Sequence, residues 1–273
     1  MSPRIGLSTA SVYPESTAHA FRYAADLGYD GIEVMVGMDG LSQQDAAVKQ
    51  LSHHYDLPIL AIHAPCLIFT QRVWGIEPWG KLQRSAEMAT EVGADVVVVH
   101  PPFRWQRDYA ADFVQGIIAL EAATGIAFAV ENMYPWGGTT RKRALEMYAP
   151  GRDPSIEDYA NTTIDLSHAA IAGDDVIEMA QRCGDRLRHV HLTDGSGSAK
   201  DEHLVPGRGV MNAGGFLRHL TEVGFDGHVV LEINTRKAIS REERLADLAE
   251  SLRFAREHLG VGTDAQAGSS PVR

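Results

Sequence analysis

Residues 95–100 read Asp-Val-Val-Val-Val-His, four valines in a row between two polar residues. A continuous β-branched run with no polar alternation suits a strand that is buried on both faces. Such strands belong to parallel sheets covered by helices. Working outward, the same unit recurs. Before the run, a helical period from about Pro78 to Val92 stops at Gly93, and after it another spans Asp108 to Ala123. Further strand-like runs lie at Ile5–Ser8, Gly31–Val36, Pro58–His63, Ile126–Glu131, Thr162–Leu166, Leu187–Leu192 and His228–Ile233. Helical periods lie at Pro14–Leu27, Asp45–Tyr55, Asp174–Arg182, Ala213–Val223 and Arg241–His258. Eight such units in succession predict an α/β fold, a single closed (β/α)8 TIM barrel over residues 1–259. An open doubly wound sheet is the runner-up, disfavoured because no Gly-x-Gly-x-x-Gly follows the first strand. A polar insertion over 136–156 carries a short expected helix from Arg143 to Tyr148. The polar, glycine-rich tail 260–273 is expected to be disordered.

Composition narrows the function. The 273 residues are 44% hydrophobic, enough for a sizeable core. A net charge of −11 gives no general attraction to nucleic acid or anionic membrane. Nucleic acid would have to be held by local loops, and Arg141–Arg143 is the one basic cluster. The two cysteines, Cys66 and Cys183, form no CxxC and no disulfide framework, so a reduced, cytoplasmic setting is expected. The opening MSPRIGLSTA lacks the pattern of a signal peptide, and no run of about 18 apolar residues suggests a membrane span. A homo-oligomer is compatible with the sequence.

The chemistry collects at strand ends. The third strand ends at His63, the fourth at His100 and the fifth at Glu131. The sixth carries Asp165, with His168 three residues on. The seventh ends near His191, and its loop brings Asp201 and His203. The eighth carries Glu232. In a barrel of this kind the carboxyl ends of the strands converge on one face, which holds the active site. Any one of these residues alone reads as a surface or capping group. Together they read as a divalent-metal site, because burying the carboxylates unpaired would cost several kcal/mol each. His19, His53, His54, His219 and His258 fall in helices and His228 begins a strand, so these read as structural or solvated. His189 shares a strand face with His191 but lies one layer deeper, and reads as packing.

IHAP at 62–65, VHPP at 99–102, VEN at 130–132, IDLSH at 164–168, HVHLTD at 189–194, HLVPGRG at 203–209 and LEI at 231–233 resemble the xylose isomerase-like barrel superfamily. The resemblance spans about residues 4–258. The ketose epimerases in that group imply a metal held by Glu131, Asp165, His191 and Glu232. They also imply proton transfer by Glu131 and Glu232 through a metal-stabilised enediolate, with His168 on the substrate oxygens. His63 and His100 would line the sugar pocket. Arg208 has two readings, a substrate hydroxyl or phosphate ligand and a solvated loop arginine. Trp105, Trp136 and Phe69 likewise form either a wall against the sugar or a loop packed on itself. The resemblance to endonuclease IV implies a second possibility: up to three zinc ions, with His63, His100, His168, Asp201 and His203 as further ligands and an abasic DNA strand as substrate. Inosose dehydratases of the group imply a third, a lyase. The expected partner is a small sugar or sugar phosphate. The expected cofactor is one to three divalent ions, with manganese, magnesium, cobalt and zinc all compatible with a mixed carboxylate–imidazole set.

Overall fold

A computed structural model of the chain describes residues 2–136 and 145–261. Eight parallel strands close into a barrel in chain order: β1 (Arg4–Ser8), β2 (Gly31–Met35), β3 (Ile59–His63), β4 (Val96–Val99), β5 (Ala127–Glu131), β6 (Thr162–Asp165), β7 (Leu187–Leu192) and β8 (His228–Leu231). β8 pairs back onto β1 with Ile5 opposite Val229 and Leu7 opposite Leu231, which seals the sheet. Around it run α1 (Thr17–Leu27), α2 (Asp45–Tyr55), α3 (Pro78–Val92), α4 (Arg107–Thr124), α5 (Leu166–Ala172), α6 (Val176–Cys183), α7 (Ala213–Glu222) and α8 (Arg241–Leu259). The barrel expected from the sequence is therefore the fold observed.

Local chemistry sets the boundaries. Gly28, Gly93 and Gly125 close α1, α3 and α4 in the left-handed conformation, where only glycine pays no Cβ penalty. Pro78 opens α3, and the Glu77 carboxylate accepts from the Trp79 and Gly80 amides. Gly116 is needed for contact instead: a Cβ there would lie 2.0 Å from the Trp79 ring.

Two details differ from the sequence reading. The chain after β6 turns at once into α5, so β6 and α6 are separated by an extra helix. Its cause is Asp165, whose carboxylate accepts from the His168 amide and caps the first turn. The expected helix over Arg143–Tyr148 is not formed in its described part. Leu145 instead pairs with Trp136, and Tyr148 with Phe103, as antiparallel bridges. Tyr148 packs with Phe103 and Met133, an apolar cluster that an extended segment can reach. The rest of that helix, the Arg141–Arg143 cluster and the tail from 262 lie outside the described residues. No described helix is long and apolar enough to cross a membrane.

The main core lies between sheet and helices, where Ile32, Val34, Val97, Val99, Val190 and Val229 pack. The residues alternating with these face the lumen, which is divided. One part is apolar, built from Ala61, Val96, Val98 and Ala129. The other carries Glu33, Thr163, His189 and His191, all fully buried.

Candidate metal centre and active site

The strand ends bring the expected residues together. Glu131, at the end of β5, is their hub. Its Oε1 lies 3.2 Å from both His191 Nδ1 and His168 Nδ1, and its Oε2 lies 3.0 Å from His100 Nε2 and 3.4 Å from His63 Nε2. His191 Nδ1 is also 2.9 Å from Glu232 Oε2 and 3.7 Å from Asp165 Oδ2. Asp201 reaches over the rim, 3.0 Å from His203 Nε2 and 3.6 Å from His168 Nε2. Groups from β3 to β8 thus meet at one mouth.

Backbone acceptors orient three of the imidazoles. A carbonyl can only accept, so the nitrogen facing it carries the proton. His63 Nδ1–H donates to the Ala64 carbonyl, His168 Nδ1–H to that of Asn132 and His203 Nδ1–H to that of Glu232. Each Nε2 is thereby turned to the site. His191 is tied the other way. Its Nε2 lies 3.1 Å from Glu33 Oε2, which leaves Nδ1 for the Glu131, Asp165 and Glu232 carboxylates. Fixing one nitrogen to orient the other is the usual outer-sphere arrangement of metal-binding histidines.

Glu33 and Arg236 escaped the sequence reading. Glu33 sits on β2 between Ile32 and Val34, inside the lumen, and also touches His189 at 2.8 Å. A glutamate midway along an otherwise apolar strand was its available signal. Arg236, just beyond β8, lines the pocket at this mouth while its guanidinium rests 4.3 Å from the Tyr13 ring centre. Arg208 is placed elsewhere: its guanidinium pairs with Glu250 and Asp247 on α8 and does not line that pocket. Trp105 is half exposed and stacks on Phe103 at 4.3 Å, so of the three aromatic candidates Phe69 alone lines the pocket.

The electrostatics follow from burial opposed by contact. Burial works to raise the Glu131 carboxyl, but His191 and His100 outweigh it and hold it well below the usual range. Glu33 is held low in the same way by His191 and His189. Burial works to lower His191, yet Glu232, Glu33 and Glu131 push it well above an ordinary imidazole. His203, against the same burial, is pushed up to about 10 by Asp201 and Asp165. Asp165 goes the other way, raised chiefly by burial.

The donor set fits a divalent cation. Glu131 Oε2 and Asp165 Oδ2 are buried with no aligned hydrogen bond, although imidazole nitrogens stand close by. Buried carboxylate oxygens left in that state are costly, and a cation removes the cost. Three groups at the strand ends have donor atoms within 4.8 Å of one another: Glu131, Asp165 and His191; His63, His100 and Glu131; and Asp165, His168 and His203; a fourth, Glu33, His189 and His191, lies inside the lumen.

Comparison with known proteins bears on this geometry. An uncharacterised protein of Mycobacterium tuberculosis is 50% identical, the match covering 94% of this chain and 98% of that one. Fructoselysine 3-epimerase of Escherichia coli O157:H7 is 24% identical over 80% of this chain and 85% of its own. The solved structure of 3-keto-D-glucoside 4-epimerase from E. coli superposes with a TM-score of 0.69 at 20% identity, covering 92% of this chain and 99% of that one. The model of the xylose isomerase-like TIM barrel family matches residues 21–258, and the chain belongs to that family.

Proposed function

We propose that the protein is a divalent-metal-dependent sugar epimerase or isomerase that moves a proton at the carbon next to a ketose carbonyl. The observation that carries this is the placement of Glu131 and Glu232. Both carboxylates lean on the same nitrogen of His191, and both line one pocket of about 240 Å³. Proton exchange at carbon needs a base to take the proton and an acid to return it. Glu131, Asp165, His191 and Glu232 would hold the ion, which supplies polarisation of the carbonyl and the neighbouring hydroxyl.

The protein's own groups do the rest. Burial tends to raise both glutamates, but contact with histidine outweighs it and keeps them ionised, ready to accept. One takes the proton, the C–H pair passes into an enediolate, and the other, once it has drawn a proton from solvent, protonates the opposite face while the first releases its proton to solvent. No electrons leave the sugar. His168, held by Asn132, turns Nε2 toward the substrate oxygens, while His63 and His100 line the wall. Phe69 lines the same pocket. The likeness to two enzymes named as epimerases supports this reading.

The test is uptake of solvent deuterium into ketoses by the metal-loaded protein. Glu131→Gln and Glu232→Gln should each abolish it, and undiminished exchange in either would sink the proposal. A second reading, a zinc phosphodiesterase acting at abasic DNA, draws on the three donor groups, which match a multinuclear site. Two or three zinc ions per chain, with incision lost in Asp201→Ala, would favour it.

A further inference from the structure

A second cavity adjoins the catalytic one, between the loops that follow β3 and β4. It encloses about 390 Å³ and shares Phe69 and His100 with its neighbour, so the two are chambers of one cleft. Their linings differ in kind. Carboxylates and imidazoles line the catalytic chamber. The second is walled largely by apolar groups, among them Ile68, Ile76, Leu82 and Pro102, and no carboxylate lines it. Its two charged side chains, Lys81 and Arg72, are both cations. In a chain of net charge −11 that is a selective arrangement.

Lys81 is the informative residue. It lies in the first turn of α3 and is only 7% exposed. Its Nζ donates to the Thr70 and Gln71 carbonyls at 3.1 and 2.6 Å. Those bonds staple the loop and use two of three ammonium protons. They supply no counter-charge, and burial accordingly lowers its pKa. The Glu77 carboxylate, which precedes α3, is engaged by the Trp79 and Gly80 amides.

We propose that this chamber is a subsite for a substituent on the sugar, apolar along its stem and anionic at its end. The substrate is then an acidic conjugate or a phosphate ester of a ketosugar. The inference rests on the epimerase reading above and specifies its substrate class. The stem would cover Ile68, Phe69 and Ile76, which are 48%, 63% and 83% exposed. The anion would meet Lys81 and Arg72 in charge-assisted hydrogen bonds, the chemistry that carboxylate and phosphate share.

Calorimetric titration of the metal-loaded protein with three probes tests this. The probes are D-fructose, D-fructose 6-phosphate and fructose joined through a C1 amine to an amino acid with a free carboxylate. One anionic probe should bind at least about tenfold tighter than D-fructose, and which one does so identifies the anion. Arg72→Ala and Lys81→Met should each erase most of that gain. Ile68→Trp, which narrows the chamber from an exposed position, should erase it too and covers the case in which Lys81→Met fails to fold. Anionic probes that bind no tighter than D-fructose overturn the subsite, as do variants that keep the gain. Deuterium exchange is read separately. Exchange into D-fructose without any anionic gain overturns the subsite alone. Anion-dependent binding without exchange from any probe overturns the epimerase reading and leaves the subsite standing.

Discussion

Glu33 Oε2 stands 3.1 Å from His191 Nε2, on the far side of the ring from the Glu131, Asp165 and Glu232 carboxylates. The contact decides which imidazole nitrogen faces the site. Glu33→Gln keeps the shape but removes the charge that makes the ring a better donor. Metal affinity should fall about 10- to 100-fold, measured by titration against a competing chelator. An unchanged affinity would mean that the barrel walls alone orient the ring.

Metal binding should release protons and tighten as pH rises. Without metal, burial opposes protonation of His191 but its carboxylate neighbours win, so the ring is a cation well above pH 6.5. Binding at Nδ1 expels that proton. Titrations in buffers of differing ionisation enthalpy should find about one proton or more released per ion. No release would contradict the assigned ligand set.

The metal-free protein should show the opposite trend. The raised pKa values of His191 and His203 stabilise the fold fully below about 6.5, and that contribution is lost as pH rises, for His203 through about 10. The lowered values of Glu131 and Glu33 stabilise it above about 4.5, and that contribution is lost as pH falls. Thermal melts after chelation should therefore peak between those limits. Adding metal should raise the melting temperature more at pH 8 than at pH 6, because fewer protons compete. Equal gains at both would refute this.

Asp194 organises the loop that delivers Asp201 and His203. Its carboxylate accepts from the amides of Gly195, Gly207, Gly209 and Met211, while its backbone pairs with Leu204. Asp194→Ala should cost on the order of 3 kcal/mol by denaturant melts, since several charge-assisted bonds go and buried amides lose their acceptor. A loss below about 1 kcal/mol would mean that water replaces it readily.

Gly116→Ala should destabilise although alanine favours helices. Propensity gains about 1 kcal/mol, but the added methyl would meet the Trp79 ring at 2.0 Å. A net loss of about 1–3 kcal/mol is expected, and a stabilised variant would show that the indole moves aside freely.

Much of this was legible in the sequence because the barrel repeats its grammar. DVVVVH, IAFAVE and HVVLEI each carry an apolar run into an ionisable group, and the fold sends all such ends to one face. Glu33 was missed because that rule looks only at strand ends, whereas Glu33 acts from within a strand, one layer below the rim. Arg208 kept two readings because a loop arginine reads equally as a ligand and as a solvated group. Its position over α8, beside Asp247 and Glu250, depends on how a helix 40 residues later docks. The extra helix α5 was hidden because Asp165 is both a site carboxylate and a helix cap, and a strand-then-loop reading allows it only one of these roles.

The Asp194 clamp has a consequence for how the loop can change over time. Its amide contacts fall at 195 and again from 207 to 211, and the span between is left outside their grip. Residues 198–200 can therefore be lengthened, shortened or rewritten while both ends of the loop stay anchored to one carboxylate. His203 is secured independently through Ser167 and the Glu232 carbonyl. Natural variation is thus free to reshape this stretch of the loop while His203 stays secured.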